Sequence, residues 1–223
     1  MNKQKYFSVF CLLFFCAACF PASAHPVINY ALQNASGGEV FWFYLKLGIT
    51  HIIPKGFDHI LFVVSLCLLS TNIKTILWQA SAFTVAHSIT LALSVKNIIV
   101  APGTIVEPII ALSIVFVAVE NIVLSELKAW RILIVFMFGL IHGMGFASAL
   151  NQTGIPPDGF IESILSFNLG VEIGQVIVIL LVFGLIIIPF GKMPDYKKRI
   201  VFPISIIIAL IASYWTVQRI MLI

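Results

Sequence analysis

The sequence predicts an all-α membrane protein, a polytopic helix bundle with about six transmembrane helices after a cleaved signal peptide. Of its 223 residues, 61% are hydrophobic and 10% are charged, whereas a soluble domain carries about 25% charged residues. Apolar segments long enough to cross about 30 Å of hydrocarbon recur along the chain. The formal net charge is only +4, and the basic residues lie in short loops, so we expect a surrounding lipid bilayer and no nucleic-acid partner.

Residues 1–24 have the pattern of a secretory signal peptide. Lys3 and Lys5 form a basic start, an apolar segment too short to span easily follows, and Ala22-Ser23-Ala24 matches the small-x-small cleavage pattern. An uncleaved anchor is the alternative. Three of the four cysteines fall in this segment, which leaves Cys67 alone in a processed chain and excludes an intrachain disulfide. The remaining residues, 25–223, are expected to form one transmembrane helical domain.

The first membrane-associated element is predicted at residues 39–53, as a short interfacial or re-entrant helix. It contains four consecutive aromatic residues, Phe41–Tyr44, and such rings favour the membrane–water interface. Pro54 and Gly56 then break the helix. Six spans of about 20 residues each follow, of which the first is short and the fifth is long and tilted or bent. Their predicted ranges are 56–70, 75–95, 104–124, 130–150, 160–189 and 200–220.

The distribution of basic residues predicts the orientation in the membrane. With an exported N-terminus, the inner loops contain more lysine and arginine than the outer segments, which agrees with the positive-inside rule. We therefore expect a multi-pass protein of the inner (cytoplasmic) membrane, with the mature N-terminus outside the cytoplasm. The inner set is Lys74, Lys128, Arg131, Lys192, Lys197, Lys198 and Arg199, and the outer set is Lys46, Lys55, Lys96 and Arg219.

Ionisable side chains inside these spans indicate a functional site. Each costs about 2.5–3.5 kcal/mol to insert and persists mainly where it faces the bundle interior. The stretch His51–His59 places two imidazoles and the Asp58 carboxylate at the mouth of the first span. In the second span, His87 shares a face with Thr84 and Ser88 through i, i+3 and i+4 spacing. A core histidine held by neighbouring hydroxyl groups is the alternative for His87 taken alone.

The third and fourth spans add a carboxylate and a further imidazole. Glu107 begins the third span, where a carboxylate also complements the helix dipole, and Asn121 lies close to the same face nearly four turns later. In the fourth span, His142 stands between Gly139 and Gly143, a G-x-x-x-G pattern that lets another helix approach closely. Packing alone explains an imidazole on such a flat surface poorly.

The fifth span carries a polar stripe of Asn168, Glu172 and Gln175 at i, i+4 and i+7. A buried glutamate with no basic residue in its own span needs a proton, a histidine or a cation as its partner. At 1.5 Å rise per residue, the polar groups of five helices fall within a slab roughly 15 Å thick in the outer half of the bilayer. The predicted metal ligands are His51, Asp58, His59, His87, Glu107, His142 and Glu172, with Thr84, Ser88, Asn121, Asn168 and Gln175 as supporting polar residues.

Imidazole and carboxylate ligands suit nickel, cobalt, zinc or copper(II). A partial shell of nitrogen and oxygen ligands binds and releases its ion more readily than a closed sulfur site, which favours a metal permease or metal-delivery protein with no catalytic residues. The alternatives are an intramembrane zinc-dependent hydrolase and a haem-binding redox protein with histidines paired across helices. The chain contains neither H-E-x-x-H nor G-x-S-x-G.

Five motifs resemble those of the HupE/UreJ family of small membrane proteins, over about residues 40–190. The resemblance implies permeation or delivery of nickel or cobalt, linked to the maturation of hydrogenase and urease. It also implies that the presumed metal motif of the family corresponds to His51, Asp58 and His59. Assembly into a homo-oligomer stays open. The motifs are His51-x6-Asp58-His59, Phe83-Thr84-Val85-Ala86-His87-Ser88-Ile89-Thr90, Val106-Glu107, Phe138-Gly139-Leu140-Ile141-His142-Gly143 and Phe167-Asn168-Leu169-Gly170-Val171-Glu172.

Overall fold

The computed structural model describes residues 35–153, 155–156 and 159–222, and it folds them into helices and connecting turns. The predicted signal peptide, residues 1–24, lies outside the described residues. The helices are α1 Gly37–Ile52, α2 Phe57–Leu68, α3 Ile73–Val95, α4 Gly103–Val123, α5 Arg131–Thr153, α6 Phe160–Val182 and α7 Phe202–Met221.

Among the described residues, five continuous helical segments are long and apolar enough to cross a membrane, which confirms the all-α membrane class. Helices α3, α4 and α5 match the predicted second, third and fourth spans to within three residues at each end. Helix α6 continues through a π-helical turn, Phe183–Ile187, into a segment of 31 residues, Phe160–Phe190. A second π-helical turn, Lys197–Val201, precedes α7. The predicted long fifth span therefore corresponds to a real long helix with an irregular turn.

Helices α1 and α2 form a bent pair, with an angle of 67° between them. Pro54 and Gly56 lie in the break, where proline cannot supply a helical N–H group. The start of α1 packs beside Glu162 at the start of α6, whereas the end of α2 accepts a hydrogen bond from the Tyr196 hydroxyl at the Leu68 carbonyl. Since the pair extends between opposite ends of the bundle, we describe it as one broken span, which gives six crossings within residues 35–222 as far as they are described.

Three helix pairs provide most of the packing: α3 with α5, α1 with α6, and α4 with α7. Two of these pairs approach closely through glycine. A Cβ atom on Gly143 of α5 would meet the His87 carbonyl group of α3, and a Cβ on Gly48 of α1 would meet the Phe167 carbonyl group of α6. Small residues let helix backbones approach in this way within membranes. The contact at Gly143 also sets the distance between two histidine-bearing helices.

The two ends of the bundle differ in the charged residues that they hold. At the Arg219 end, Arg219 of α7 forms a 2.8 Å ion pair with Asp58 of α2. At the opposite end, called the Lys197 end, the Lys197 ammonium group donates to the Leu124 carbonyl at 2.6 Å. Near that end, Arg131 is buried beside Glu120 at 3.3 Å. The histidines lie between these two charged ends.

Candidate metal centre

Three histidines from three helices converge inside the bundle. His51 lies in the last turn of α1, His59 in the first turn of α2 and His87 in α3. One ring nitrogen of each lies within 4.8 Å of the others, and they form the one such group of potential metal ligands among the described residues. His59 and His87 are buried, and His51 is partly buried. Their spacing is within the range that one metal ion could bridge after small side-chain shifts.

The break between α1 and α2 brings His51 and His59 together. The two residues lie on either side of the bend, and their ring centroids are 4.7 Å apart. In one continuous helix, residues eight positions apart would be separated by about 12 Å along the axis. The break is therefore the local feature that forms the pair. Discontinuous membrane helices commonly create ion sites in this way.

A hydrogen-bond chain fixes the protonation of His87. The Asn168 amide group donates to the Ile164 carbonyl at 2.8 Å, so its side-chain oxygen faces His87 Nδ1 at 3.2 Å. An amide oxygen can only accept, and His87 Nδ1 must therefore carry the proton. The Nε2 lone pair is left free, and this atom is buried with no hydrogen-bond partner in the described part of the chain. Such an outer partner is typical of a metal-binding histidine.

His142 of α5 is a fourth imidazole beside the three. Its ring lies 5.1 Å from that of His59. The Ser113 hydroxyl lies 2.7 Å from the Ile110 carbonyl and 3.1 Å from His142 Nε2. When it donates to the carbonyl, the closer of the two acceptors, it accepts from a protonated Nε2. His142 Nδ1 then keeps a free lone pair, and no described residue bonds to this buried nitrogen. His142 is placed to receive an ion from the other three or to complete their shell.

Aromatic rings enclose the imidazoles. Phe146 lies 4.1 Å from the His51 ring and stacks on Phe167 at 5.1 Å, with an angle of 10° between the planes. Phe83 lies 4.9 Å from His142. These rings restrict the rotamers of the histidines, which holds the imidazoles in place for a cation.

The predicted carboxylates lie around this centre, and those of Asp58 and Glu172 have partners of their own. Asp58 pairs with Arg219, and the main-chain carbonyl of Glu107 accepts from the same guanidinium group at 3.0 Å. Glu172 accepts a hydrogen bond of 2.7 Å from Ser81, on the contact between α3 and α6. None of the three belongs to the converging histidine group.

The supporting polar residues fall in two places. Thr84 donates to Gln175 at 3.2 Å, and Ser88 donates to the Thr84 carbonyl at 2.6 Å, both along α3 near the histidines. Asn121 instead lies toward the Lys197 end, where it accepts from Arg131 at 3.3 Å. Asn168 is the supporting residue that contacts a histidine directly.

A cavity of about 530 Å³ connects the histidines to the Arg219 end of the bundle. The exposed residues Lys55 and Glu107 line its mouth, and the buried His59 and His142 line its base. The structure therefore offers an aqueous route to the imidazoles from one end. The ionisable residues around the cavity are His51, Lys55, Asp58, His59, Glu107, His142 and Arg219.

Sequence reasoning did not identify three residues that shape this region. Ser113, which orients His142, has no distinguishing pattern in an apolar helix. The sequence predicts Arg219 and Arg131 only as loop charges that set the topology, whereas Arg219 lines the cavity and Arg131 is 1% exposed. In the sequence, the contact of Arg131 with Asn121 is indicated only by the presence of Asn121 inside an apolar span, ten residues before the arginine.

Comparison with known proteins agrees with the motif resemblance. A family model described as "HupE / UreJ protein" matches residues 29–219, which is most of the chain and includes every helix up to Arg219. No curated protein and no solved structure matches the chain. With its membrane helices, its histidine centre and this match, the chain belongs to the HupE/UreJ family.

Proposed function

We propose that this protein is a permease for a divalent transition-metal ion, with nickel as the leading substrate and cobalt as the next. The observation that carries the proposal is the convergence of His51, His59 and His87 from three helices, with ring nitrogens within 4.8 Å of one another. Buried imidazole nitrogens without partners are costly in hydrocarbon and persist mainly where they have a role.

The ligand chemistry narrows the class of metal. Neutral imidazoles suit nickel, cobalt, zinc and copper(II), whereas magnesium and calcium require oxygen ligands. Cys67 is buried away from this group and supplies no thiolate. The HupE/UreJ resemblance then favours nickel or cobalt within the set that imidazole allows.

The geometry also supports binding that is reversible. Three histidines leave open coordination positions, which water or His142 can fill. An ion enters from the cavity at the Arg219 end, exchanges water for imidazole and can pass to the fourth ring, 5.1 Å beyond His59. Exchange between partial shells suits transport better than one saturated site.

Metal uptake in cells that express the protein tests the proposal. We expect expression to raise cellular nickel or cobalt, and His59→Ala to abolish the rise without changing the amount of protein in the membrane. Ser205→Ala is the matched control, because it also truncates a buried polar side chain, on α7. Uptake that persists in His59→Ala would refute this site as the route of permeation.

A catalytic zinc centre is the second candidate, because two of the three clustered histidines, His51 and His59, line a 530 Å³ cavity with room for a zinc-bound water and a substrate. Metal analysis separates the two functions. Stoichiometric zinc that survives purification and dialysis would favour the hydrolase, whereas a readily exchangeable site would favour the permease.

A further inference from the structure

Arg219 is fixed at the mouth of the cavity by three contacts. Its Nη2 atom donates to the Asp58 carboxylate at 2.8 Å, and its Nη1 atom donates to the main-chain carbonyl of Glu107 at 3.0 Å. The guanidinium group also lies 5.9 Å from the centre of the Trp215 ring. The side chains of Arg219 and Asp58 are 21% and 25% exposed. A positive charge is therefore held in place where an incoming cation would first meet the protein.

The charges around the cavity balance. Lys55 and Arg219 are positive, Asp58 and Glu107 are negative, and all four line the cavity. A cation that moves to the histidines must pass this rim. Asp58 directly precedes the metal-site residue His59 in the sequence. Its carboxylate, however, already forms an ion pair with Arg219.

Resting on the function proposed above, we propose that Arg219 is an internal competitor for the divalent cation at Asp58. The mouth of the cavity is then a transit site, where a hydrated transition-metal ion replaces the guanidinium group at the carboxylate before it reaches the imidazoles. The contacts of Arg219 with Glu107 and Trp215 do not involve Asp58. The guanidinium group can therefore release the carboxylate while it stays at the mouth.

This arrangement selects ions by charge. At equal distance, the attraction between a carboxylate and a divalent cation is twice that between the carboxylate and a guanidinium group. A sodium or potassium ion has no such advantage over Arg219. The competitor therefore keeps abundant monovalent ions from Asp58 while it yields to a divalent ion.

Two single substitutions test the proposal with a matched change in charge. Arg219→Gln and Lys55→Gln each make the rim more negative by one unit, but only Arg219→Gln frees Asp58. We expect Arg219→Gln to lower the half-saturating metal concentration for uptake by about five-fold, and Lys55→Gln to lower it less than about two-fold. Uptake by Arg219→Gln should also become sensitive to added sodium or potassium chloride beyond the sensitivity of the wild type.

The Asp58→Asn background completes the test. There, adding Arg219→Gln should give no further decrease in half-saturation, since the group that Arg219 occupies is gone. Equal effects of Arg219→Gln and Lys55→Gln, or a five-fold effect that persists in Asp58→Asn, would overturn the proposal. Arg219→Met serves as the second variant if the glutamine variant does not accumulate.

Failure of the permease and failure of the transit site give different results. If the wild type takes up no metal, the permease is refuted. Titration of the purified protein with cobalt(II), with the same four variants, still measures whether Arg219 competes for Asp58. If the wild type takes up metal and the Arg219 variants behave as the wild type, the transit site alone is refuted.

Discussion

At the scale of single residues, the orientation of the free lone pairs distinguishes a metal centre from a set of buried polar side chains. His87 and His142 each use one nitrogen to bond a neighbour whose own donor is already committed, Asn168 in one case and Ser113 in the other. In His87 the remaining nitrogen must then be an acceptor without a proton, and in His142 it is one whenever Ser113 donates to the Ile110 carbonyl. A metal ion needs such a lone pair, whereas a packed core would pair it with a donor.

Asn168 is therefore expected to act as a positioning residue for His87. Asn168→Leu removes the acceptor of the Nδ1 proton and should weaken cobalt(II) binding by about 10- to 100-fold. Asn168→Asp keeps an acceptor at this place and should retain binding. The visible absorption bands of bound cobalt(II), measured during titration, report both affinity and ligand geometry. Equal losses in the two variants would show that Asn168 contributes only to packing.

The sequence identified every histidine of this centre but not the atoms that meet. Asp58, Glu107 and Glu172 were grouped with the histidines because they share a depth. Depth alone cannot show that Arg219 reaches Asp58 or that Ser81 reaches Glu172. Those contacts depend on how α3, α6 and α7 are rotated about their axes. The sequence does not predict this rotation, because helices that are apolar on nearly every face do not show which face is buried.

At the scale of helices, the bend between α1 and α2 is the feature on which the centre depends. It directs the C-terminal end of α1 and the N-terminal end of α2 toward the histidines. The partial negative charge at the C-terminus of α1 and the partial positive charge at the N-terminus of α2 oppose each other at this point, so the affinity for a cation comes from the imidazoles and not from the helix dipoles. Pro54 and Gly56 predicted the break, but its angle and the meeting of His51 with His87 required the three-dimensional structure.

The close contact of α5 with α3 should be sensitive to one methyl group. In Gly143→Ala, the new Cβ atom would meet the His87 carbonyl group and the Thr90 hydroxyl group. Overpacking of this kind costs about 1–3 kcal/mol and forces the backbones apart. We expect a lower thermal midpoint in detergent and weaker cobalt(II) binding, since His87 and His142 lie on the two helices that separate.

Gly184→Ala is the control for this prediction, because no atom lies within 4 Å of a Cβ built at Gly184. It should change neither the midpoint nor the binding. A Gly143→Ala protein with wild-type binding would show that the centre does not depend on the α3–α5 distance.

The span positions were predictable because each long apolar segment ends at a polar or proline-containing turn. Ile73–Val95 and Gly103–Val123 fall close to the predicted 75–95 and 104–124. What hydropathy could not predict is which helices pair. The G-x-x-x-G pattern predicts a close helix contact at Gly139 and Gly143. It does not identify α3 as the neighbour, because glycine allows any other helix to approach closely.

At the scale of the whole molecule, the two ends of the centre differ in access. The cavity reaches the histidines from the Arg219 end. Toward the Lys197 end, Phe62 and Phe83 lie 5.1 Å apart beside the histidines, and Arg131 forms a buried ion pair with Glu120. An apolar layer followed by a buried charge pair lies on that side, so in the described part of the chain the centre is reached from the Arg219 end.

The direction of transport then depends on which end faces the cytoplasm, and the basic residues predict the Lys197 end. Lys128 in the α4–α5 loop donates to Glu126 at 2.7 Å, and this hydrogen bond together with the charge of Lys128 lowers the pKa of that carboxyl group. The Glu126 carboxyl group therefore stays charged near neutral pH. Under the positive-inside rule, we expect this loop and Lys197–Arg199 to lie inside, which predicts that the cavity opens outward and that the proposed permease would load metal from outside the cell.

Labelling of single cysteines tests this orientation. In a background that lacks the native cysteines, Ala101→Cys places a thiol in the α3–α4 loop, and Ser125→Cys places one in the exposed α4–α5 loop. Only one helix, α4, lies between the two loops. If α4 spans the membrane, the loops must lie on opposite sides. We expect a membrane-impermeant maleimide to label Ala101→Cys in cells whose inner membrane is intact, and Ser125→Cys only after lysis. The reverse labelling pattern would show that the cavity faces the cytoplasm, and it would favour export over uptake. Labelling of both cysteines from the same side would contradict the assignment of α4 as a membrane span.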